Sequence, residues 1–226
     1  MAKIKGQNWG VFGTMDTGKT YQTMKVALQL KELYGKPIII FDHSSNDSYE
    51  DYNLIIPIER IKQPLPNNSI VKIQSDDIDM FCEICLHHVR ETIIILDDAG
   101  IFFKGNIEEI REKFIKSTKN NYNDTFYQTH SFREVGPALL NNLQMILLKE
   151  LAEKIIPDKL GCKDKIEILH FEICKENDKR PLGELYSYRI YNILKNLVYK
   201  EDKNGILMEF NGRDYFKKYE KESKFK

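Results

Sequence analysis

Gly13-Thr14-Met15-Asp16-Thr17-Gly18-Lys19-Thr20 keeps the spacing G-x-x-x-x-G-K-[ST] without a departure. The physics asks for these residue types at these places. The glycines let the backbone curl so that successive N–H groups point into one concavity and hold phosphate oxygens. The helix opening near Gly18 adds its positive dipole end to the same spot. Lys19 reaches the terminal phosphates as a catalytic charge, and the Thr20 hydroxyl is placed to coordinate Mg²⁺. The spacing therefore predicts nucleotide contacts from Gly13, Thr14, Met15, Asp16, Thr17, Gly18, Lys19, Thr20 and the adjoining Tyr21. Context matters, because such a match can arise by chance in a loop. Here residues 8–13 read as a short buried strand before it, and Met24, Ala27, Leu28 and Leu30 mark an amphipathic helix after it.

A second acidic site follows downstream. Ile93-Ile94-Ile95-Leu96-Asp97-Asp98 is an apolar run that ends in two carboxylates. Such a run suits a strand covered on both faces, as in a parallel sheet. A first carboxylate at the carboxyl end of that strand supports the metal, which assigns Asp97. A second one polarises the attacking water, which assigns Asp98 as general base. The plainer reading has Asp98 capping the turn at Ala99-Gly100.

Outward from these motifs, strands and helices alternate. Ile38–Phe41 reads as a strand closing on Asp42, which either touches the nucleotide or caps a loop. Residues 43–52 have no apolar period and read as a loop, while Ile55-Ile56 and Ile70–Ile73 are short strand candidates. A helix is expected at about 77–90 and a charged one from Gly105 to about Lys119. Thr125–Gln128 and Met145–Leu148 read as strands, with a helix over Phe132–Leu143 between them. This alternation argues an α/β domain with a mainly parallel sheet. The pattern changes near residue 150, so residues 1–150 form the expected catalytic core and 151–226 a smaller α+β extension. In that extension Ile166–Cys174 and Leu185–Tyr191 are expected to pair as a hairpin, and the lysine- and glutamate-rich end from Phe216 to fray.

Composition excludes several classes. A formal net charge of zero provides no global field toward nucleic acid or membranes, so any DNA contact needs a local basic patch. No apolar run is long enough to span a bilayer, and the polar stretch Met1–Asn8 lacks the core of a secretory signal. A cytoplasmic location without membrane insertion is expected. Cys82 and Cys85 form C-x-x-C next to His87 and His88, but Ile78, Phe81, Cys82, Cys85, Leu86 and Val89 recur at helical spacing. Buried core cysteines are therefore expected in place of a zinc site, with Cys162 and Cys174 too scattered to complete one.

Taken together, Gly13–Thr20, Ile93–Asp98 and Asp124-Thr125-Phe126-Tyr127-Gln128-Thr129-His130 resemble the P-loop NTPases of the additional-strand type. Within that group the chain is similar to the HerA–FtsK superfamily, in particular its small viral genome-packaging ATPases and its zonular-occludens-toxin-like phage assembly proteins. The resemblance covers about residues 8–150. It implies that the strand ending at Gln128 inserts between the P-loop strand and the Asp97 strand, with Gln128 a catalytic sensor of the γ-phosphate. It implies ATP and Mg²⁺ as cofactors, a homo-oligomeric ring, DNA and capsid proteins as partners, and a place in host cytoplasm or on a virion. Relatives often carry Asp-Glu where this chain has Asp97-Asp98. Many also place Arg-His before the sensor strand, where this chain has Lys119-Asn120-Asn121-Tyr122. Arg111, Lys119 and Arg133 are then the candidates for a finger inserted into a neighbour's site.

Four functions compete. A DNA-moving ring motor would use segments 43–52 and 100–106, with Lys104, as polymer contacts. A nucleoside or nucleotide kinase would want an arginine-rich lid, yet after Gln128 only Arg133 precedes a long arginine-free stretch. A phage assembly or secretion ATPase would usually add a transmembrane segment. A regulatory GTPase would carry Asn-Lys-x-Asp, which the sequence lacks.

Overall fold

The computed structural model describes residues 5–44, 49–52, 54–152, 156–158, 160–181, 184 and 186–222. β1 (Asn8–Phe12) enters the phosphate loop, α1 (Lys19–Tyr34) leaves it, and β2 (Ile38–Phe41), β3 (Ile70–Ile73) and α2 (Ile78–His88) follow. β4 (Ile93–Leu96), α3 (Glu109–Ser117) and β5 (Asp124–Thr129) come next, then α4 (Pro137–Leu140) and β6 (Met145–Leu148). The chain finishes with α5 (Lys163–Asn177), β7 (Arg189–Asn192), β8 (Leu197–Glu201), β9 (Leu207–Asn211) and α6 (Gly212–Glu222).

All nine strands join one sheet in the order β3-β2-β4-β5-β1-β6-β7-β8-β9. β3 to β6 pair in parallel, and β7 to β9 add on antiparallel. β5 lies between β1 and β4, as the sequence resemblance implies, with Val11 opposite Gln128 and Ile95 opposite Phe126. The parallel strands β1, β2, β4 and β6 are buried at every position. That is why β2, β4 and β6 read as unbroken apolar runs. Apolar side chains of α2 to α6 pack on one face, around Phe81, Phe114, Leu139, Leu169 and Phe216. The other face is met by α1 through Met24, Val26 and Ala27, together with Tyr49. Among the described residues no helix is long and apolar enough to cross a membrane.

Four expectations need correction. Ile166–Cys174 is not a strand. It lies in α5, where Ile166, Leu169, His170 and Ile173 recur every three to four residues and are buried. The antiparallel ribbon is β7-β8-β9 instead; Leu185, the expected start of the second hairpin strand, lies outside the described residues. The end of the chain is helical through Glu222 in α6, whose Tyr215 and Phe216 are buried, while 223–226 lie outside the described residues. Phe132–Leu143 is broken into a 3-10 turn (Phe132–Glu134) and the short α4. Pro137 lacks an N–H and starts a new helix after Gly136. Ile55 makes one isolated bridge to Lys72, and no full strand forms there. Cys82 and Cys85 are fully buried on α2, in the core as expected.

Candidate functional site

The carboxyl ends of parallel strands β1, β4 and β5 meet at one edge of the sheet, which is where ligands bind in open α/β folds. β1 delivers the phosphate loop there. Gly18 stands at φ 73°, ψ 33° as the residue capping α1, a left-handed conformation that favours glycine. Thr17 Oγ1 donates to Thr14 O at 2.8 Å and tightens the loop. Met15, Asp16 and Tyr21 face solvent at its rim.

Lys19 Nζ donates to Thr14 O at 2.9 Å and stands 3.2 Å from His130 Nδ1. His130 Nε2 lies 3.3 Å from Asp98 Oδ1. An ammonium can only donate, so Nδ1 accepts and Nε2–H faces the carboxylate. Lys19, His130 and Asp98 thus form a polar chain across the mouth of the site. Burial lowers the Lys19 pKa, while Asp98, Asp97 and Glu134 oppose that shift. Glu134 Oε2 in turn accepts from Thr129 Oγ1, His130 N and Ser131 N, which holds the turn carrying His130.

A second chain lies deeper. Thr20 Oγ1 donates to Gln128 Oε1 at 3.4 Å, Gln128 Nε2 donates to Tyr49 Oη at 2.9 Å, and Tyr49 Oη donates to Asp97 Oδ1 at 3.4 Å. Gln128 and Asp97 are buried, and Tyr49 is wholly so. Burial, with Asp97 beside it, pushes the Tyr49 hydroxyl well above its ordinary pKa, so it stays a neutral donor. Asp98 follows at φ 45°, ψ 41°, left-handed, and its side chain makes no capping bond to the turn Ala99–Ile101. That conformation costs about 1 kcal/mol in an L-residue and aims the carboxylate at His130.

The geometry therefore gathers Gly13–Thr20, Asp97, Asp98, Gln128 and His130 at one edge. It treats the finger candidates differently. Arg133 is exposed on the turn beside Glu134. Arg111 Nε and Nη2 grip Asp79 at 2.6 and 2.8 Å, and its Nη1 donates to Phe102 O. Lys119 sits before β5, at the opposite end of the sheet. Asp42 is buried at the end of β2, 3.7 Å from Lys72 Nζ. In segment 100–106, Phe102 and Phe103 are buried anchors while Lys104 is exposed. Segment 43–52 is not simply a solvent loop: Tyr49 dives into the site, and residues 45–48 lie outside the described residues. Sequence reasoning missed Tyr49 because its surroundings, Ser45-Asn46-Asp47-Ser48 and Glu50-Asp51, are uniformly polar. An aromatic in such a run was the available signal, shared with Tyr52.

The residues present fit Mg²⁺. Thr20 and Asp97 supply oxygen donors and few of them, which suits a cation that keeps waters and binds mainly through substrate phosphates. Among the described residues no group of three His, Cys, Asp or Glu side chains could hold a metal by itself. A separate cleft of about 1110 Å³ opens at the amino ends of the strands, between Trp9, Leu33, Tyr34 and Met145. It lies away from this chemistry.

Solved structures share this architecture. The genome packaging NTPase B204 from Sulfolobus turreted icosahedral virus 2, in complex with AMPPCP, superposes with a TM-score of 0.63 at 15% identity, over 90% of this chain and 96% of that one. Its complex with ATP-gammaS gives the same values. B204 described as the DNA-packaging ATPase from Sulfolobus Turreted Icosahedral Virus gives 0.60 at 14% identity, over 91% and 97%. The fold is that of an α/β P-loop NTPase. No protein-family model and no curated protein sequence matches the chain.

Proposed function

We propose that this chain is an Mg²⁺-dependent ATPase that moves DNA, packaging a viral genome as a homo-oligomeric ring docked to capsid proteins in host cytoplasm or on the virion. The observation that carries the reading is the pair of polar chains, Lys19–His130–Asp98 and Thr20–Gln128–Tyr49–Asp97, built around one phosphate loop. The likeness to viral genome-packaging NTPases solved with ATP analogues supports the choice of ATP and of DNA.

In this reading the loop N–H groups, α1 and Lys19 cradle the phosphates and stabilise charge that develops on them. Asp98 orients and deprotonates the attacking water, and His130 keeps its carboxylate aimed. Gln128 reads the terminal phosphate and transmits its presence through Tyr49 to Asp97. Thr20 and Asp97 would hold the Mg²⁺, which supplies charge neutralisation at the phosphate oxygens. Arg133, exposed beside the site, is the finger candidate best placed to serve a neighbouring subunit, and Lys104 the exposed cation for a polymer.

Phosphate release under single-turnover conditions, with and without duplex DNA, tests this. Free phosphate should appear without an acceptor and faster with DNA, from a species that sediments as an oligomer. Transfer of the γ-phosphate to a nucleoside would instead establish the kinase alternative.

A further inference from the structure

Lys149 leaves β6 directly beside the phosphate loop. Its backbone N–H donates to Phe12 O at 2.8 Å, and Thr14 N–H donates to Glu150 O at 2.9 Å, so the β1–β6 pairing runs on into the loop. A Cβ on Gly13 would stand 2.7 Å from Lys149 Cβ, and one on Gly18 would stand 3.6 Å from Lys149 Nζ. The lysine stem therefore runs alongside the loop from its first glycine to its second. Its ammonium arrives at the residue that caps α1. The segment after α5 positions it there: Tyr186 O accepts from Nζ at 3.0 Å, and the Tyr188 ring centroid is 5.7 Å away.

This is a poor place for a lysine that serves only the fold. Lys149 is 2% exposed. No carboxylate of the described residues forms an ion pair with it, and Glu201, the acidic group acting on it, is engaged with Lys25 at 2.5 Å. Burial, then Arg180 and Lys19, pushes the ammonium down to about 8 against the pull of Glu201. The positive end of α1 adds to the repulsion. The buried ammonium of Lys149, the half-buried one of Lys19 and a helix N-terminus converge on one loop, and an anion with several oxygens would relieve all three.

We propose that Lys149 is a second phosphate-binding lysine of the nucleotide site, its ammonium contacting the phosphate chain at the Gly18 end of the loop while Lys19 serves the end facing His130. The proposal rests on the nucleotide-binding reading above, and it gives Tyr186 a task, the holding of that ammonium by its carbonyl. Two of its three N–H donors remain available to phosphate oxygens once Tyr186 O is bound.

Calorimetric titration of the full chain with ATP-gammaS tests it. Lys149→Met keeps the length and the apolar stem, and it should weaken binding about 10- to 100-fold near neutral pH, the range for a lost hydrogen bond to a charged group. The unfolding midpoint of that variant without nucleotide should hold or rise, since a strained charge is gone. The wild-type affinity should fall as pH rises through about 8. Lys149→Arg should bind with no such fall, because a guanidinium keeps its charge. Lys19 and Tyr188 are common to both proteins and cancel from the comparison, as do the neighbouring Glu201 and Arg180. Wild-type affinity in a folded Lys149→Met, or superimposable pH curves for wild type and Lys149→Arg, overturns the proposal. Should Lys149→Met not fold, the two pH curves decide alone. A wild-type chain that binds no ATP-gammaS brings down the nucleotide reading and this proposal together. If the wild type binds, Lys19→Ala does not, and Lys149→Met binds normally, the role of Lys149 alone fails.

Discussion

The parallel and antiparallel parts of the sheet bury their interiors by different means. In β2, β4 and β6 every position is apolar and covered. In the flank, Arg189 on β7 is 1% exposed and sits in a charged cluster: it pairs with Glu172 and Glu176, Lys200 also reaches Glu176, and the hydroxyls of Tyr215 and Tyr219 donate to Glu172. The outermost strand β9 is largely exposed. One half places its polar groups at the strand ends, where they can act on a ligand, and the other spends them inside, tying α5 and α6 to the sheet. A parallel strand covered by helices leaves polar side chains nowhere to go but its ends, whereas an added antiparallel ribbon under two helices can carry a paired charge if every partner is present.

The comparison breaks first at Lys19. Lys19→Ala should cut ATP hydrolysis roughly a thousandfold, about 4 kcal/mol, with the thermal midpoint little changed; normal turnover would remove the site from this loop. Arg189→Met should do the reverse. It takes the cation from buried Glu172 and one of two cations from half-buried Glu176, and should cost about 3 kcal/mol in urea unfolding, while nucleotide affinity changes far less. Equal losses in both assays would show that the two halves are not separable. Asp98→Asn should slow single-turnover hydrolysis about a hundredfold and leave nucleotide binding nearly intact. Loss of binding would assign Asp98 to the metal or to the fold. Tyr49→Phe removes the hydroxyl that links Gln128 to Asp97 and should weaken Mg²⁺ dependence of turnover about tenfold; an unchanged Mg²⁺ titration would make Tyr49 a packing residue only.

The smallest effect concerns acid. Burial alone would raise the Glu176 carboxyl, but hydrogen bonds from Arg189 and Lys200 outweigh it and hold it at about 2, below its ordinary 4.5. The unfolded chain then binds more protons between those values, so the contribution of Glu176 is present above about pH 4.5 and fades as pH falls through about 2. With the group half-exposed it amounts to at most about 1 kcal/mol. Glu176→Gln should flatten that part of the acid unfolding curve, and an unaltered curve would discount the pairing.

The phosphate loop, Asp97-Asp98 and the strand ending at Gln128 were legible because each rests on local rules: a turn that needs glycine at fixed places, and an apolar run that must end before a charge can sit. The same rules misled at Ile166–Cys174. There an apolar stretch with glutamates at 167 and 172 mimics strand alternation, while the burial of Ile166, Leu169, His170 and Ile173 follows the helical period. They were silent on Tyr49, whose partners Gln128 and Asp97 lie 79 and 48 residues away.

From the sequence by itself came the loop, the chemistry expected of it, and the place of β5 between β1 and β4, the last through family resemblance. These depend on neighbours within a turn or on a spacing that a whole family shares. Only the tertiary structure decided that Tyr49 bridges Gln128 and Asp97, that His130 links Lys19 to Asp98, that Arg189 is buried with its acids, and that Lys149 lies along the phosphate loop. Each of these joins strands or loops far apart in the chain. Which polar groups end up sharing one dry volume is set by how the sheet brings strand ends together, and no local pattern of residues encodes that.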